Sequence, residues 1–161
     1  YFSMKNIFLF ISFITIFIFC TGCGGDYIFK KDLKIKNGKW YYENKLDFDF
    51  IIEDTLKKYD LFLDVHHAGN YGFQNLYVQF HTTYPSGEKK TQTVSLELAS
   101  KSGIWNGECS GNECNVEIPL QVNASFNEPG KHIISIEQYM RKNPLPGIKE
   151  MVLKIAEKEE L

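Results

Sequence analysis

Few residues of this 161-residue chain are spaced to do chemistry. Asp47 and Asp49 stand two apart in Leu46-Asp-Phe48-Asp-Phe50. On a strand, carboxylates at that spacing share a face about 7 Å apart, a separation that glycosidases use. A solvated strand face gives the same pattern and is the plainer reading; a calcium contribution is the other. The four histidines are His66, His67, His81 and His132. Adjacent His66 and His67 point to opposite faces of a regular strand and cannot chelate one metal from it. They read as surface or partly buried rings. The chain contains no G-x-S-x-G, H-E-x-x-H or P-loop pattern. No catalytic residue, no metal and no cofactor is expected.

The cysteines are more informative. From Met4, Lys5 is followed by an apolar run, Ile7 to Cys20, ending in Cys20-Thr-Gly22-Cys23. Fourteen helical residues rise about 21 Å, short of the ~30 Å hydrocarbon core, which suits a secretory segment better than a permanent span. The ending resembles a bacterial lipobox, with Cys23 taking the lipid through its thiol. The domain then lies outside the cytoplasm, whether Cys23 is lipidated or the segment stays as an uncleaved anchor. Cys109 and Cys114 remain, with turn residues between them. An export compartment makes a disulfide their default. A redox site is the alternative, but the spacing is not C-x-x-C.

Three further features suit binding. Tyr71-Gly-Phe73-Gln-Asn75-Leu-Tyr77 places aromatics where sugars or a partner can stack, unless Phe73 is core. Arg141 is the single arginine among eighteen basic residues. Its planar guanidinium holds carboxylates or carbonyls bidentately, which lysine does not match. Its expected use is to tie its strand end to the Pro144-Leu-Pro-Gly147 turn, and its second use is docking a partner. Asp54-Thr55-Leu56 resembles the O-glycosylation motif of exported Bacteroidota proteins, with Thr55 as acceptor.

The elements that position these residues read as strands. Apolar alternation runs through Leu46 to Ile52, Tyr59 to Val65, Leu76 to Phe80, Val94 to Leu98, Val116 to Val122, His132 to Ile136 and Val152 to Ile155. Period two with one apolar face marks antiparallel strands over a core. Turn residues separate the runs, including Pro85-Ser-Gly87, Asn106-Gly107 and Pro129-Gly130. The fold class expected is all-β: an antiparallel two-sheet β-sandwich preceded by an N-terminal lipoprotein signal helix. Residues 4–22 are the signal peptide, 23–37 the lipid anchor and tether, and 38–161 the sandwich domain. A net charge of −2 disfavours a nucleic-acid partner.

Taken in order, the motifs resemble the GldH family of gliding motility lipoproteins of Bacteroidota. The resemblance rests on Trp40 with Phe48-Asp-Phe50 and Asp54-Thr55, then Tyr71 to Tyr77, Pro85-Ser-Gly87 and Leu98-Ala99. It continues through Gly103-Ile-Trp105-Asn-Gly107 to Glu137-Gln138-Tyr-Met140-Arg141 and Leu145-Pro-Gly147-Ile148. It covers nearly the whole exported chain. The Cys109/Cys114 pair and His66-His67 depart from the family pattern. Asn75, Trp105, Gly107, Gln138, Arg141, Gly147 and Ile148 match it and are expected to be mostly structural. Gly107 and Gly147 suit turns with positive φ, and Trp105 suits a core anchor. The resemblance implies a non-enzymatic outer-membrane lipoprotein, exposed to the periplasm or the surface, needed for gliding and linked to type IX secretion. Its partners would be membrane lipid at Cys23 and other gliding and secretion proteins. Two other classes stay open. One is a glycan-binding lipoprotein of a polysaccharide-uptake system, using Tyr71, Phe73 and Tyr77. The other is a hydrolase using Asp47 and Asp49.

Overall fold

The computed structural model describes residues 27–158. The signal helix and Cys23 lie outside these residues. Two antiparallel sheets face each other across one apolar core. The first is built from β1 (Tyr27–Lys34), β11 (Ile148–Lys158), β4 (Lys58–Ala68), β8 (Glu113–Ala124) and β7 (Glu108–Ser110), in that spatial order. The second is β3 (Leu46–Ile52), β9 (Gly130–Gln138), β5 (Asn75–Thr83) and β6 (Lys89–Glu97). A two-residue ladder joins β2 (Lys39–Trp40) to β10 (Leu145–Pro146) at one end.

The strands form where alternation places them. β3 buries Leu46, Phe48, Phe50 and Ile52 and exposes Asp47, Asp49 and Ile51 between them. β4 turns Leu61, Leu63 and Val65 inward, and β5 turns Leu76 and Val78 inward. Met151, Leu153 and Ile155 of β11 close the same core. Each such side chain contributes about 1.5–3 kcal/mol by leaving water. The expected run in β8 ends early. Its ladder with β4 shifts register around Leu61, and Val122 is 58% exposed rather than inward.

The tether expected over 23–37 needs correction. Residues 27–34 are strand β1, paired with β11 from Tyr27↔Ala156 to Lys34↔Glu150. Phe29 and Leu33 pack against the core. The lysines that suggested a linker occupy an edge strand, where charge protects an unpaired edge from aggregation.

The sandwich has two ends. One carries the connections at 53–57, 84–88 and 125–129 together with the start of β1. The other carries 35–45, 69–74, 98–107, 111–112 and 139–147. Tyr71 to Tyr77, Trp105, Arg141, Gly147 and the cysteine pair fall at the second end, and Thr55, His132 and Pro85-Ser-Gly87 at the first.

Candidate interaction surface

The second end is a base of buried side chains under a rim of exposed ones. Trp40 is fully buried, and its indole N–H donates to Asn44 O at 2.7 Å. Gln138 is also fully buried. Its amide Nε2 donates to Lys142 O at 3.1 Å and more weakly to Trp40 O at 3.4 Å, while its Oε1 accepts from Met140 N at 2.9 Å. This side chain therefore ties the end of β9 to the loop that follows. Arg141 was expected to do so. Instead it is exposed and makes no side-chain hydrogen bond or ion pair among the described residues. A short buried amide reaches three backbone groups at once, and the guanidinium is left to solvent.

The aromatic segment splits. Tyr71 is buried, its phenol donates to Asn75 O at 3.3 Å, and burial pushes its pKa far above the ordinary range. It belongs to the core and not to a stacking platform. Phe73 and Tyr77 are exposed. Asn75 spends its amide on Ser95 Oγ at 3.0 Å, across to β6. Tyr139, which the sequence reading did not single out, is 55% exposed, and its N–H donates to Tyr77 O at 2.8 Å. Tyr77 on β5 and Tyr139, the residue just past the end of β9, are thus exposed neighbours. Tyr42 lies beside them, its hydroxyl on Met140 O at 2.6 Å. The signal for Tyr139 was available: it follows the inward Gln138 and so points outward by alternation.

The glycines act in different ways. Gly147 has φ +96°, and a Cβ there would lie 3.0 Å from the Tyr71 ring. Gly107 does not have positive φ, against expectation. It is needed for close approach, since a Cβ there would lie 1.8 Å from Asn115 O. Trp105 is a half-buried wall rather than a central anchor. Its ring lies 4.5 Å from that of His67, and its N–H donates to Gly69 O at 3.2 Å. Cys109 and Cys114 form a disulfide between directly paired residues of β7 and β8. The turn beyond them starts with Gly111 at φ +60°, the conformation glycine supplies in a two-residue hairpin.

The histidines are more buried than expected. His67 and His132 are both enclosed, because each faces inward on its strand. His132 stacks on Phe50 with ring centroids 5.6 Å apart. His67 meets Trp105 and Tyr71, and burial pushes its pKa down, opposed in part by its hydrogen bond to Ala68 O. Unfolding returns His67 to an ordinary imidazole. The unfolded chain then binds more protons, so stability falls as pH drops below about 6.5. Paired carboxylates such as Glu137 act only at lower pH, near or below about 4.5. His67→Gln is expected to flatten the fall in urea midpoint between about pH 7 and pH 5. An unchanged slope would assign that fall to other groups.

The carboxylate pair is exposed, and Asp49 is held by lysines. Asp47 and Asp49 lie on the exposed face of β3. Asp49 contacts Lys31 at 2.8 Å and Lys131 at 3.4 Å, and the Lys31 ammonium above all holds its pKa below the usual carboxylate value. A general acid needs the opposite shift. Glu137 is likewise held low, chiefly by Lys45 at 2.8 Å and also by His81 at 3.1 Å. No group of side chains able to hold a metal ion occurs among the described residues. Thr55 sits half-buried in the loop at the other end of the sandwich.

Residues 27–155 match the GldH lipoprotein family. A gliding motility lipoprotein GldH homolog of Christiangramia forsetii is 27% identical over 150 residues, covering 92% of this chain and 90% of that one. Gliding motility lipoprotein GldH of Flavobacterium johnsoniae is 27% identical over 121 residues, covering 74% and 75%. A solved carbohydrate-binding module specific for non-crystalline cellulose covers 81% of this chain and 75% of its own, at 6% identity. Its TM-score of 0.43 is too low to carry an argument. With the family match spanning nearly every described residue, from the edge strand β1 to the last core positions of β11, this chain belongs to the GldH family of gliding motility lipoproteins.

Proposed function

We propose that the protein is a non-catalytic, lipid-anchored component of the gliding and type IX secretion apparatus at the outer membrane. Acylated Cys23 holds it there, and the second end of the sandwich engages other proteins of the apparatus. The observation that carries this reading is the split at that end. Gln138, Trp40 and Gly147 hold a rigid base, while Tyr77, Tyr139 and Arg141 stand exposed on it with little structural work to do. Exposed aromatics and arginine are the side chains that dominate protein interfaces.

Gene deletion is expected to abolish colony spreading and to change the secreted-protein profile. Complementation with Cys23→Ala should restore neither. The double variant Tyr139→Ala/Arg141→Ala should leave the fold intact and still fail to restore spreading, because single interface anchors are worth about 2 kcal/mol or more. Normal spreading and secretion in the deletion strain would sink the proposal.

A glycan-binding reading keeps one favourable observation. Tyr77 and Tyr139 form an exposed pair beside Gln79, Ser95 and Glu137 on one sheet face. Tyr71 no longer contributes, being core. Affinity electrophoresis against a glycan panel tests this: retardation relieved by Tyr77→Ala supports it, and none across the panel removes it.

A further inference from the structure

The first end of the sandwich carries apolar side chains that the core does not use. Leu56 is 86% exposed, Ile51 64% and Ile28 47%. Ile28 and Ile51 line a shallow groove of about 500 Å³ that also touches Asp54 and Lys57, the residues flanking the Thr55-Leu56 tip. The tip is held open by its own hydrogen bonds. Asp54 Oδ1 accepts from Leu56 N at 2.8 Å, and Asp54 O accepts from Tyr59 OH at 2.6 Å. A single exposed leucine needs no explanation. Two exposed isoleucines lining one groove, with an exposed leucine on the loop that borders it, do.

The chain itself indicates what covers them. β1 starts at this end, with Tyr27 paired to Ala156. Only Gly24, Gly25 and Asp26 separate Tyr27 from Cys23. Four Cα steps of 3.8 Å place the anchor within about 15 Å of Tyr27. A domain on so short a tether has this end at the bilayer surface. Two of the four carboxylates of the groove are matched, Asp49 by Lys31 and Lys131 and Glu157 by Lys57 at 2.5 Å, which leaves Glu53 and Asp54 without an ion pair among the described residues. Tyr27, 37% exposed, is the amphipathic type found at membrane interfaces.

We propose that the end bearing Ile28, Ile51 and Leu56 seats directly on the lipid interface that holds Cys23. This rests on the lipid-anchored reading above. Side chains in such a seat enter about 5–10 Å into the headgroup region. The eleven residues of β11 then carry the opposite end about 35 Å away from the lipid. Tyr77, Tyr139 and Arg141 are thereby presented outward to a partner.

The test uses the full lipoprotein, purified with its acyl chains and reconstituted in phosphatidylethanolamine–phosphatidylglycerol vesicles. Leu56→Cys and Ile104→Cys are labelled separately with a polarity-sensitive fluorophore. Ile104 is also apolar, is 69% exposed and lies at the far end. The label at 56 should shift to the blue and be quenched several-fold more by a lipid-borne quencher than the label at 104. Equal, water-like emission at both sites, with acyl chains confirmed on Cys23 by mass, overturns the seating and leaves the anchored reading standing. Absence of acyl chains on Cys23 removes both. Protection of position 56 in native membranes but not in vesicles assigns the patch to a protein and overturns the lipid seat. A glycan found on Thr55 in the intact mass holds the tip off the lipid and does the same.

Discussion

Gly107→Ala is expected to lower the melting temperature by roughly 10 °C or more, equivalent to about 3 kcal/mol. The added Cβ would lie 1.8 Å from Asn115 O, 2.6 Å from Asn115 C and 2.7 Å from Val116 Cα. All three are backbone atoms of β8, so no side chain can swing aside. Either residues 98–107 lift away from the sheet or β8 shifts against β4. The first loses the packing of Trp105 on His67, and the second breaks the ladder through the middle of the larger sheet. Gly72→Ala is the matched control. Nothing lies within 4 Å of its Cβ position and its φ is not positive. Thermal unfolding followed by circular dichroism should leave Gly72→Ala within about 0.5 kcal/mol of the parent. Similar melting temperatures for the two variants would show that the 98–107 segment can move freely, and the close-approach argument would fail.

Gln138→Leu is expected to cost about 2–4 kcal/mol, measured as a shift in urea midpoint at constant m. The leucine matches the volume of glutamine but offers no hydrogen bonds. Met140 N, Lys142 O and Trp40 O each lose a partner beneath the loop. A missing partner costs the desolvation of the group left behind, which exceeds the net worth of the bond itself. The loop at 139–147 should loosen as well, weakening the β2–β10 ladder that Trp40 and Leu145 form. Arg141→Ala is the contrast. Its side chain is exposed and unpaired among the described residues, so its effect on stability should stay within about 0.5 kcal/mol. A destabilisation by Arg141→Ala as large as that by Gln138→Leu would return the tie to the arginine.

These two variants also mark where reading residues in order reaches its limit. Glutamine and arginine stand three apart in one segment, and both suit a tie between strand and turn. Arginine is the more conspicuous by type. The choice falls to glutamine because the inward position on β9 lies over Trp40 O, a group 98 residues away in the chain. No local pattern encodes that distance. Tyr71 and Tyr77 divide for the same reason. Tyr71 is drawn into the core beneath Gly147, while Tyr77 sits at an outward position of a paired strand. Six residues apart, they share composition and neighbourhood and differ only in what folds over them.

Much was nonetheless legible. Alternation located every long strand except β1, because period two is a property of the strand alone and survives any arrangement of sheets. The disulfide that joins β7 to β8 was expected from the export signal together with the turn residues between Cys109 and Cys114, since a hairpin is a local structure. Of the two glycines expected to need positive φ, Gly147 has it, at +96°, and Gly107 does not. The family, too, was carried by short motifs in a fixed order. β1 escaped because half its residues are the lysines and aspartate of an edge, which resemble a linker until a partner strand is present. Which histidines are enclosed, which glycine is pressed against backbone, and at which end of the sandwich β1 begins were settled only by tertiary structure. Each depends on atoms brought together from opposite parts of the chain, and burial and close approach are properties of those pairs rather than of either residue.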